Sequence, residues 1–337
     1  YAQTLVYGLF VARYYDNTPE NFTREEAPYL VPASNPFLRH FFSHIAGPNF
    51  DKRLGYIVDE LCEVFSVADI CDIIARHFNL FGETVDKDPI IHFYEDFLKE
   101  YDPLLRKSMG AYYTPVPVVQ FMIRAVDEVL KKEFNLSGGI ANTDKIQRDI
   151  YVQGKKGKEM VHKVQILDPA VGTATFLNEI IKYIHKGFKD QEGVWQSYVD
   201  QELLPRLYGF ELMMAPYTIA HLKLAMTLKD TGIDKFNRRL GVYLTNTLEE
   251  GVKNKNDLFS SLGLVEAISE ESKAAGAIKH DRPIMVIIGN PPYSGVSSNM
   301  TEYANRLIEK YKVEPGGKEK LKERKHWLND DYVKFIA

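Results

Sequence analysis

The chain has 337 residues, 45% hydrophobic and 26% charged, which is enough for one large or two smaller buried cores and excludes a disordered or fibrous protein. The formal net charge of −4 excludes binding of nucleic acid through bulk positive charge alone, while a local basic patch stays compatible with it. No apolar run reaches the roughly 20 residues of a membrane span and the first residues show no basic-then-apolar signal pattern, so we expect a soluble, intracellular protein.

Helical periodicity runs from the first residue to about Leu105. The segments PFLRHFFSHI, YIVDELCEVF, VADICDIIARHF and IIHFYEDFLKEY repeat apolar residues at helical spacing, with Pro, Gly and Asn between them. They predict an all-α domain over residues 1–108. Cys62 and Cys71 lack a second Cys or His pair, which predicts buried thiols and no metal site. Because Tyr1 and the final DYVKFIA both fall within apolar patterns, we expect a chain cut from a longer one at both ends.

A second unit is predicted over residues 109–337, where strands alternate with helices. VPVVQFMIRAVDEVLKKEF predicts a helix with Pro115 or Pro117 near its start. IYVQ and HKVQILD predict strands joined by the charged turn GKKGK. They are followed by a helix after VGT, strand LYGFEL, helix MMAPYTIAHLKLAMTLKD, strand GVYLTN and buried strand IMVIIG. This alternation predicts an α/β fold with a parallel, doubly wound sheet. The polar segments 249–280 and 294–328 are interpreted as insertions or loops.

The first motif with chemical potential is QILDPAVGTATFL, in which a strand ends at Asp168 and a turn of small residues follows. Ligands of open α/β sheets bind beyond the carboxyl ends of the strands, and a glycine turn lets backbone N–H groups approach them. Asp168 is therefore a candidate to hold an ammonium group. An ordinary strand-to-helix turn would explain the same glycine. No Gly-Lys-Ser/Thr follows, which disfavours a nucleoside triphosphate.

Two weaker motifs flank it. GFELM ends a strand at Glu211, whose carboxylate can accept both hydroxyls of a ribose or can cap the next helix. In GAYYTPVPVV, Thr114 and the backbone around Pro115 can cap a helix and present donors to a carboxylate, and a simple capping turn is the alternative. Each of these motifs alone fits either interpretation.

The most specific motif is IMVIIGNPPYSG, which brings a polar amide and an aromatic ring to the end of a buried strand. Two successive prolines keep the backbone extended and offer no N–H donors. A planar amino group needs two acceptors, which the side-chain oxygen of Asn290 and the carbonyl of Pro291 can supply, while Tyr293 can stack on the attached ring. A proline-rich turn after a core strand is the structural alternative.

In this order, GAYYTP, DPAVGTATF, GFELM and NPPY resemble the N6-adenine amino-methyltransferases of the gamma arrangement, over residues 110–293. The resemblance implies a Rossmann-like methyltransferase core, S-adenosylmethionine as cofactor, and double-stranded DNA with a flipped adenine as substrate. It assigns catalysis to the four residues Asn290, Pro291, Pro292 and Tyr293. It assigns cofactor binding to Tyr113, Thr114, Pro115, Asp168, Pro169, Ala170, Gly172, Thr173, Phe176, Glu211, Leu212, Asn246 and Thr247.

Within that set, the resemblance implies that Thr114 meets the methionine carboxylate, that residues 168–173 wrap the methionine, and that Glu211 holds the ribose with Leu212 against the adenine. The family usually has an aspartate after the third strand to bind the amino group of the cofactor adenine. The matching position here is Asn246, whose amide oxygen can accept the same hydrogen bond without charge assistance.

A narrower resemblance comes from YAQTLVYGLFVAR, the helical domain, YLTNTLEEG and LNDDYVKFI. They are similar to the methyltransferase portion of type ISP restriction-modification enzymes, in which a nuclease and a helicase precede this region and a target-recognition domain follows it. The resemblance implies the catalytic core of a larger bacterial, cytoplasmic polypeptide that supplies those parts. The sequence itself contains no P-loop and no convincing nuclease motif.

Two alternatives remain open. One is a non-catalytic module that couples a DNA motor to a recognition domain. The other is a protein glutamine N-methyltransferase, since NPPY also occurs there, although GAYYTP and the large helical domain weigh against it. The basic run KEKLKERKHW contains glutamates and is interpreted as a solvated helix rather than a loop that closes on phosphates.

Overall fold

The computed structural model describes residues 2–32, 35–48, 50–70, 72–73, 114–152, 155–233, 236, 238–250, 263–293, 301–314, 316–317, 319–321 and 326–336. The helix predicted in IIHFYEDFLKEY, half of VADICDIIARHF, Cys71 and Tyr113 lie outside these residues.

The N-terminal region is helical, as predicted. Its helices are α1 (Ala2–Tyr14), α2 (Ala27–Leu30), α3 (Pro36–Ala46) and α4 (Lys52–Val67). Asn35 caps α3 by accepting a hydrogen bond from the backbone N–H of Leu38, and Pro36 occupies the first helical position, where its missing N–H costs nothing. Cys62 is buried, and burial raises the pKa of its thiol to about 12, so it is an inert packing residue.

After helix α5 (Val116–Lys132), the chain forms an antiparallel hairpin of β1 (Lys145–Val152) and β2 (Lys155–His162), in register from Lys145 opposite His162 to Val152 opposite Lys155. This corrects one expectation, since GKKGK was predicted as a turn and HKVQILD as a strand. The charged residues form a strand of a separate sheet, and the next strand begins only at Ile166. Most described side chains of β1 are exposed, so no apolar pattern marked it.

The main sheet has parallel strands in the order β5-β4-β3-β6 within the described residues. Its elements in chain order are β3 (Ile166–Asp168), α6 (Thr175–His185), α7 (Glu192–Tyr198), β4 (Leu207–Glu211), α8 (Met214–Asp230), β5 (Val242–Leu244), α9 (Gly263–Asp281) and β6 (Val286–Ile287). Shorter helical turns are Pro19–Asn21, Gly139–Ala141, Lys186–Phe188, Val199–Leu203, Leu204–Arg206, Lys310–Lys312 and His326–Asn329.

Helices cover both faces of this sheet, which confirms the doubly wound α/β prediction. Ile166 and Val242 face a large core that includes residues of α5, α6 and α8. Leu167, Tyr208 and Phe210 face the other side, where Ala275 and Ile278 of α9 pack on them. Successive strand residues alternate between the two faces, as a pleated strand requires.

Helix α9 and helix α10 (Glu302–Glu309) correct the prediction that segments 249–280 and 294–328 are loops or insertions. The buried face of α9 consists of Ala267, Glu271, Ala275 and Ile278, so small and charged residues hide its amphipathic character. Glu271 is buried because Arg239 pairs with it at 2.6 Å and the backbone N–H of Leu244 donates to it. A last helix, α11, spans Asp331–Ile336.

Helix α8 is buried on all sides from Ala215 to Leu228. One side contributes Tyr217, Ala220 and Leu224 to the core under the sheet. Another side contributes Ala215, Ile219, Leu222 and Met226 to a core made with α1, α3 and α4. The helical region and the α/β unit therefore share a hydrophobic interface along this helix.

Candidate active site at the carboxyl edge of the sheet

The predicted polar residues follow neighbouring parallel strands and meet at one edge of the sheet. Asp168 ends β3, Glu211 ends β4, Asn246 lies two residues beyond β5, and Asn290 lies three residues beyond β6. Since β4 and β6 both pair with β3, the carboxyl ends of these strands surround Asp168.

The loop after β3 is held in an uncommon backbone conformation. Gly172 has φ +54° and Ala174, which precedes α6, has φ +64°. The N–H of Val171 donates to the carbonyl of Phe210 at 2.9 Å, which ties the loop to β4. Nothing lies within 4 Å of the space where a Cβ on Gly172 would stand, so the loop is open on that side. Glycine adopts this left-handed geometry without strain, and its missing side chain leaves room for a ligand.

Asp168 is the buried carboxyl group at the centre of the edge, with 1% of its surface exposed. Its Oδ1 accepts a hydrogen bond from the backbone N–H of Ala170 at 3.1 Å, while Oδ2 has no partner among the described residues. Burial raises the pKa of Asp168 to about 8. The N–H of Ala170 lowers it and the nearby Glu211 raises it further. An unsatisfied buried carboxylate oxygen calls for a donor or a cation.

Both carboxylate oxygens of Glu211 already accept hydrogen bonds from backbone N–H groups. Its Oε2 accepts from the backbone N–H of Gly172 at 2.9 Å, and its Oε1 accepts from the N–H of Met213, which precedes α8, at 2.8 Å. Burial raises the pKa of Glu211, and these backbone donors together with Leu212 partly offset the effect. Glu211 thus binds the N–H of the residue that precedes α8 and does not cap the helix itself, and the predicted ribose contact stays a prediction. Leu212 beside it is 54% exposed.

The loop after β5 is folded onto the loop after β3. The hydroxyl of Thr247 donates to the carbonyl of Pro169 at 2.5 Å. The Oδ1 of Asn246 accepts from the N–H of Leu248 at 3.0 Å, and its Nδ2 donates to Glu249 at 3.1 Å. The amide oxygen predicted to meet the cofactor adenine is therefore engaged in a local turn, and its contact with the adenine stays a prediction.

Lys279 of α9 holds this loop from the side. Its Nζ donates to the carbonyls of Asn246 at 2.6 Å and Glu249 at 2.9 Å, and it lies 5.5 Å from the ring centre of Phe210. Burial lowers the pKa of Lys279 to about 8, and the charge of Glu249 opposes that shift. No pattern in the sequence singled out this lysine.

The Asn-Pro-Pro-Tyr segment contacts the start of α5. The Nδ2 of Asn290 donates to the hydroxyl of Thr114 at 2.9 Å, so the amide oxygen is the acceptor end of this side chain. That oxygen accepts from the hydroxyl of Tyr293 at 3.0 Å. The expected capping role of Thr114 is not observed, since Pro115 is the residue that caps α5 and it does so without a side-chain bond. Pro291 and Pro292 are partly buried.

Gly289 joins the two central motifs. A Cβ at this position would stand 2.4 Å from Oδ1 of Asp168 and 3.2 Å from Pro169. The backbone before Asn290 therefore lies directly against the buried carboxylate, and only glycine allows that approach.

Tyr293 is 48% exposed and stacks on Tyr332 of α11, with ring centres 5.2 Å apart and planes 18° from parallel. The contact spans 39 positions of sequence, and LNDDYVKFI was singled out only for its resemblance. Tyr332, Gly289 and Lys279 are the site residues that sequence reasoning missed, and of these only Gly289 was visible, as the glycine in front of the Asn-Pro-Pro-Tyr segment.

Most of the predicted site is brought together at this edge. The residues assembled there are Thr114, Asp168, Pro169, Ala170, Gly172, Glu211, Asn246, Thr247, Asn290 and Tyr293. Thr173 is partly exposed in the same loop. Phe176 differs, since it is 4% exposed and belongs to the main core, so its surface is covered by protein neighbours.

The assembled groups are acceptors and carboxylates around an open loop, which suits a cationic ligand and a planar amino group. Among the residues that the structure describes, no cluster of three or more His, Cys, Asp or Glu side chains is arranged for a metal ion. In the same part of the chain, no helix combines the length and apolarity needed to cross a membrane.

A known protein family matches most of the chain. The model of the family described as N-6 DNA Methylase matches residues 85–329. No curated protein matches the chain.

Three solved structures share the fold over nearly the whole chain. One is a nuclease-deletion mutant of the type ISP restriction-modification enzyme LlaGI with a DNA substrate mimic, at 19% identity and a TM-score of 0.59 over 99% of this chain and 23% of that one. Another is the ATP-dependent type ISP restriction-modification enzyme LlaBIII bound to DNA. It has 20% identity and a TM-score of 0.61, over 99% of this chain and 19% of that one. The third is a DrdV-DNA complex, with 23% identity and a TM-score of 0.51, over 98% of this chain and 30% of that one. The chain thus spans less than a third of the length of each.

Proposed function

The chain belongs to the N-6 DNA methylase family, and from this premise we propose that it transfers the methyl group of S-adenosylmethionine to the N6 amino group of adenine in DNA. The order of the motifs around the edge of the sheet supports this reaction. The observation that carries the proposal is the contact of Gly289 with Asp168, because it sets the amino-group acceptors of the Asn-Pro-Pro-Tyr segment beside the buried carboxylate.

The residues at the edge fit S-adenosylmethionine. The unpartnered Oδ2 of Asp168 suits the ammonium group of the methionine part, and the open loop at Gly172 leaves room for it. Glu211 keeps lone pairs for ribose hydroxyls, and the exposed Leu212 offers an apolar surface to the cofactor adenine. When bound, this cofactor supplies an electrophilic methyl group on a positively charged sulfur.

Asn290 prepares the target amino group. The lone pair of an adenine amino nitrogen is delocalised into the ring, so the nitrogen is a poor nucleophile. Drawing its two N–H groups toward the oxygen of Asn290 and the carbonyl of Pro291 localises the lone pair and stabilises the positive charge that grows on nitrogen. Thr114 fixes the direction of the amide by accepting from Nδ2. No general base is needed before transfer, since the proton can leave to solvent afterwards.

The target adenine has to leave the duplex, because its amino nitrogen cannot otherwise reach the edge of the sheet. The exposed ring of Tyr293 offers a stacking surface for the flipped base, a contact worth about 1–3 kcal/mol.

The test is Asn290→Ala with Asn17→Ala, an exposed asparagine of the helical region, as the matched control. Radiolabelled methyl transfer to DNA should fall by at least about a hundredfold in Asn290→Ala, because an aligned acceptor of developing charge is lost. S-adenosylmethionine binding should persist, and Asn17→Ala should match the unchanged chain. Retained methylation in Asn290→Ala would refute the assignment.

We further propose that the chain is the methyltransferase part of a larger, cytoplasmic restriction-modification polypeptide, with nuclease, helicase and target-recognition parts outside it. The fold shared with LlaGI and LlaBIII supports this. Offering DNA, RNA and protein as methyl acceptors to the chain and to the full-length protein separates this function from a glutamine methyltransferase. Transfer to none of them would favour a non-catalytic coupling module.

A further inference from the structure

Tyr332 is the aromatic neighbour of the tyrosine in the Asn-Pro-Pro-Tyr segment, and its helix is anchored to the protein. In α11, the nearby Asp331 and Lys334 are buried, with 5% and 4% of their surface exposed. The Nζ of Lys334 lies 3.7 Å from Oδ1 of Asp331, so the two charges pair. The hydroxyl of Thr301, which caps α10, donates to the carbonyl of Leu248 in the loop after β5 at 2.9 Å. Helices α10 and α11 contact each other. The ring of Tyr332 is therefore held by a framework that also touches the loop of Asn246.

Tyr332 lies against one face of the Tyr293 ring in a nearly parallel stack, and the hydroxyl of Tyr293 is directed to Asn290. Even so, 48% of Tyr293 is exposed. A planar ligand that stacks on Tyr293 without displacing Tyr332 would have to use the opposite ring face.

A base cannot enter between the two tyrosines without moving them apart. Stacked bases lie about 3.4 Å from each other, so an intercalated base would need the two ring centres about 7 Å apart. They are 5.2 Å apart. Stacking on the face opposite Tyr332 needs no such movement of the two tyrosines and keeps the hydrogen bond of Tyr293 to Asn290.

We propose that Tyr332 is a positioning residue for the target base, which backs Tyr293 and leaves the opposite ring face as the stacking surface for the flipped adenine. This inference rests on the proposed function. The stack limits rotation of Tyr293 about its side-chain bonds, so the platform is already oriented when the base arrives. A leucine at position 332 would keep apolar volume on the helix but would remove the ring.

The experiment compares Tyr332→Leu and Tyr332→Phe in the full-length protein, with Tyr29→Leu, an 84% exposed tyrosine of the helical region, as the matched control. The measurements are the single-turnover rate of methyl transfer to plasmid DNA free of N6-methyladenine and the dissociation constant of S-adenosylmethionine. Tyr332→Leu should slow transfer by about two- to tenfold, the factor that corresponds to the loss of one aromatic stack, at unchanged cofactor affinity. Tyr332→Phe should restore the rate, and Tyr29→Leu should have no effect.

Three results would overturn the inference. An unchanged rate in Tyr332→Leu would show that the stack does not matter, and a faster rate would show that Tyr332 covers the face that the base needs. A loss that appears equally in cofactor affinity would indicate a structural role. If Tyr332→Leu proves unstable, Tyr332→Met replaces it in the same comparison. Absence of transfer by the unchanged protein would refute the proposed function itself, and this inference with it, which separates the two failures.

Discussion

Asp168→Asn should make the cofactor-free protein more stable and at the same time unable to hold its cofactor. In the folded chain the pKa of Asp168 is about 8, whereas its ordinary value is 3.8. Between these two pH values the unfolded chain carries an ionised carboxylate and the folded chain keeps the proton. The folded state therefore loses stability as pH rises through this window, and loses none below it.

The cost grows by about 1.4 kcal/mol per pH unit and reaches on the order of 4 kcal/mol at pH 7. Asparagine cannot ionise and keeps an acceptor for the N–H of Ala170, so it avoids this cost. Urea unfolding at about pH 5, 6 and 7 measures the free energy of unfolding of both proteins. The advantage of Asp168→Asn should increase with pH. Asp281→Asn, at the exposed end of α9, is the control and should show no such trend.

Cofactor binding should respond in the opposite direction. An ammonium group beside Oδ2 favours the ionised carboxylate, so the affinity of the unchanged protein for S-adenosylmethionine should rise with pH up to about 8. In Asp168→Asn the affinity should fall by about thirtyfold or more, and that rise should disappear. A variant that is no more stable at neutral pH, or whose advantage is the same at every pH, would refute the reasoning.

The other predictions concern the neighbours of this carboxylate. Gly289→Ala puts a methyl group 2.4 Å from Oδ1 of Asp168, so unfolding by urea should show a loss of about 1–3 kcal/mol, and calorimetry should show weaker cofactor binding. Gly193→Ala, where a methyl group meets open space, should change neither, and equal behaviour of the two variants would contradict the steric argument. Lys279→Met removes the donor to two loop carbonyls, so cofactor affinity should fall about tenfold while transfer at saturating cofactor stays nearly unchanged. Lys273→Met, on an exposed position of the same helix, should bind cofactor normally, and a matching loss there would exclude a specific anchor.

The part of the site that could be predicted from the sequence is the part that follows from strand ends. Apolar runs that stop at Asp168, Glu211 and Asn290 predict parallel strands, and the carboxyl ends of parallel strands meet at one edge. Local chemistry then identifies candidates without any knowledge of packing. Tyr113 lies outside the described residues, so its predicted cofactor contact stays a prediction.

What could not be predicted depends on contacts between distant segments. Lys279 reaches a loop 33 positions earlier, and Tyr332 stacks on Tyr293 from a helix that lies 39 positions further along the chain. Helix α9 was missed because its buried positions include two alanines and a glutamate beside a single isoleucine, and the burial of Glu271 depends on Arg239, which lies outside that helix. The spacing of apolar residues predicts which positions of a helix are buried. It cannot predict that a charged residue is buried when the partner of that charge lies in another segment.

The burial of α8 against two cores limits how this protein can be truncated or joined to other domains. A chain begun at residue 114 would lack α1, α3 and α4, and Ala215, Ile219, Leu222 and Met226 would lose their apolar neighbours. Such a fragment would expose a continuous apolar strip along α8 and would self-associate through it. The same helix begins three residues after Glu211, so its outer side lies close to the edge of the sheet that carries the candidate site. Homologous exchange of this catalytic unit between larger polypeptides would therefore have to carry the helical region with it.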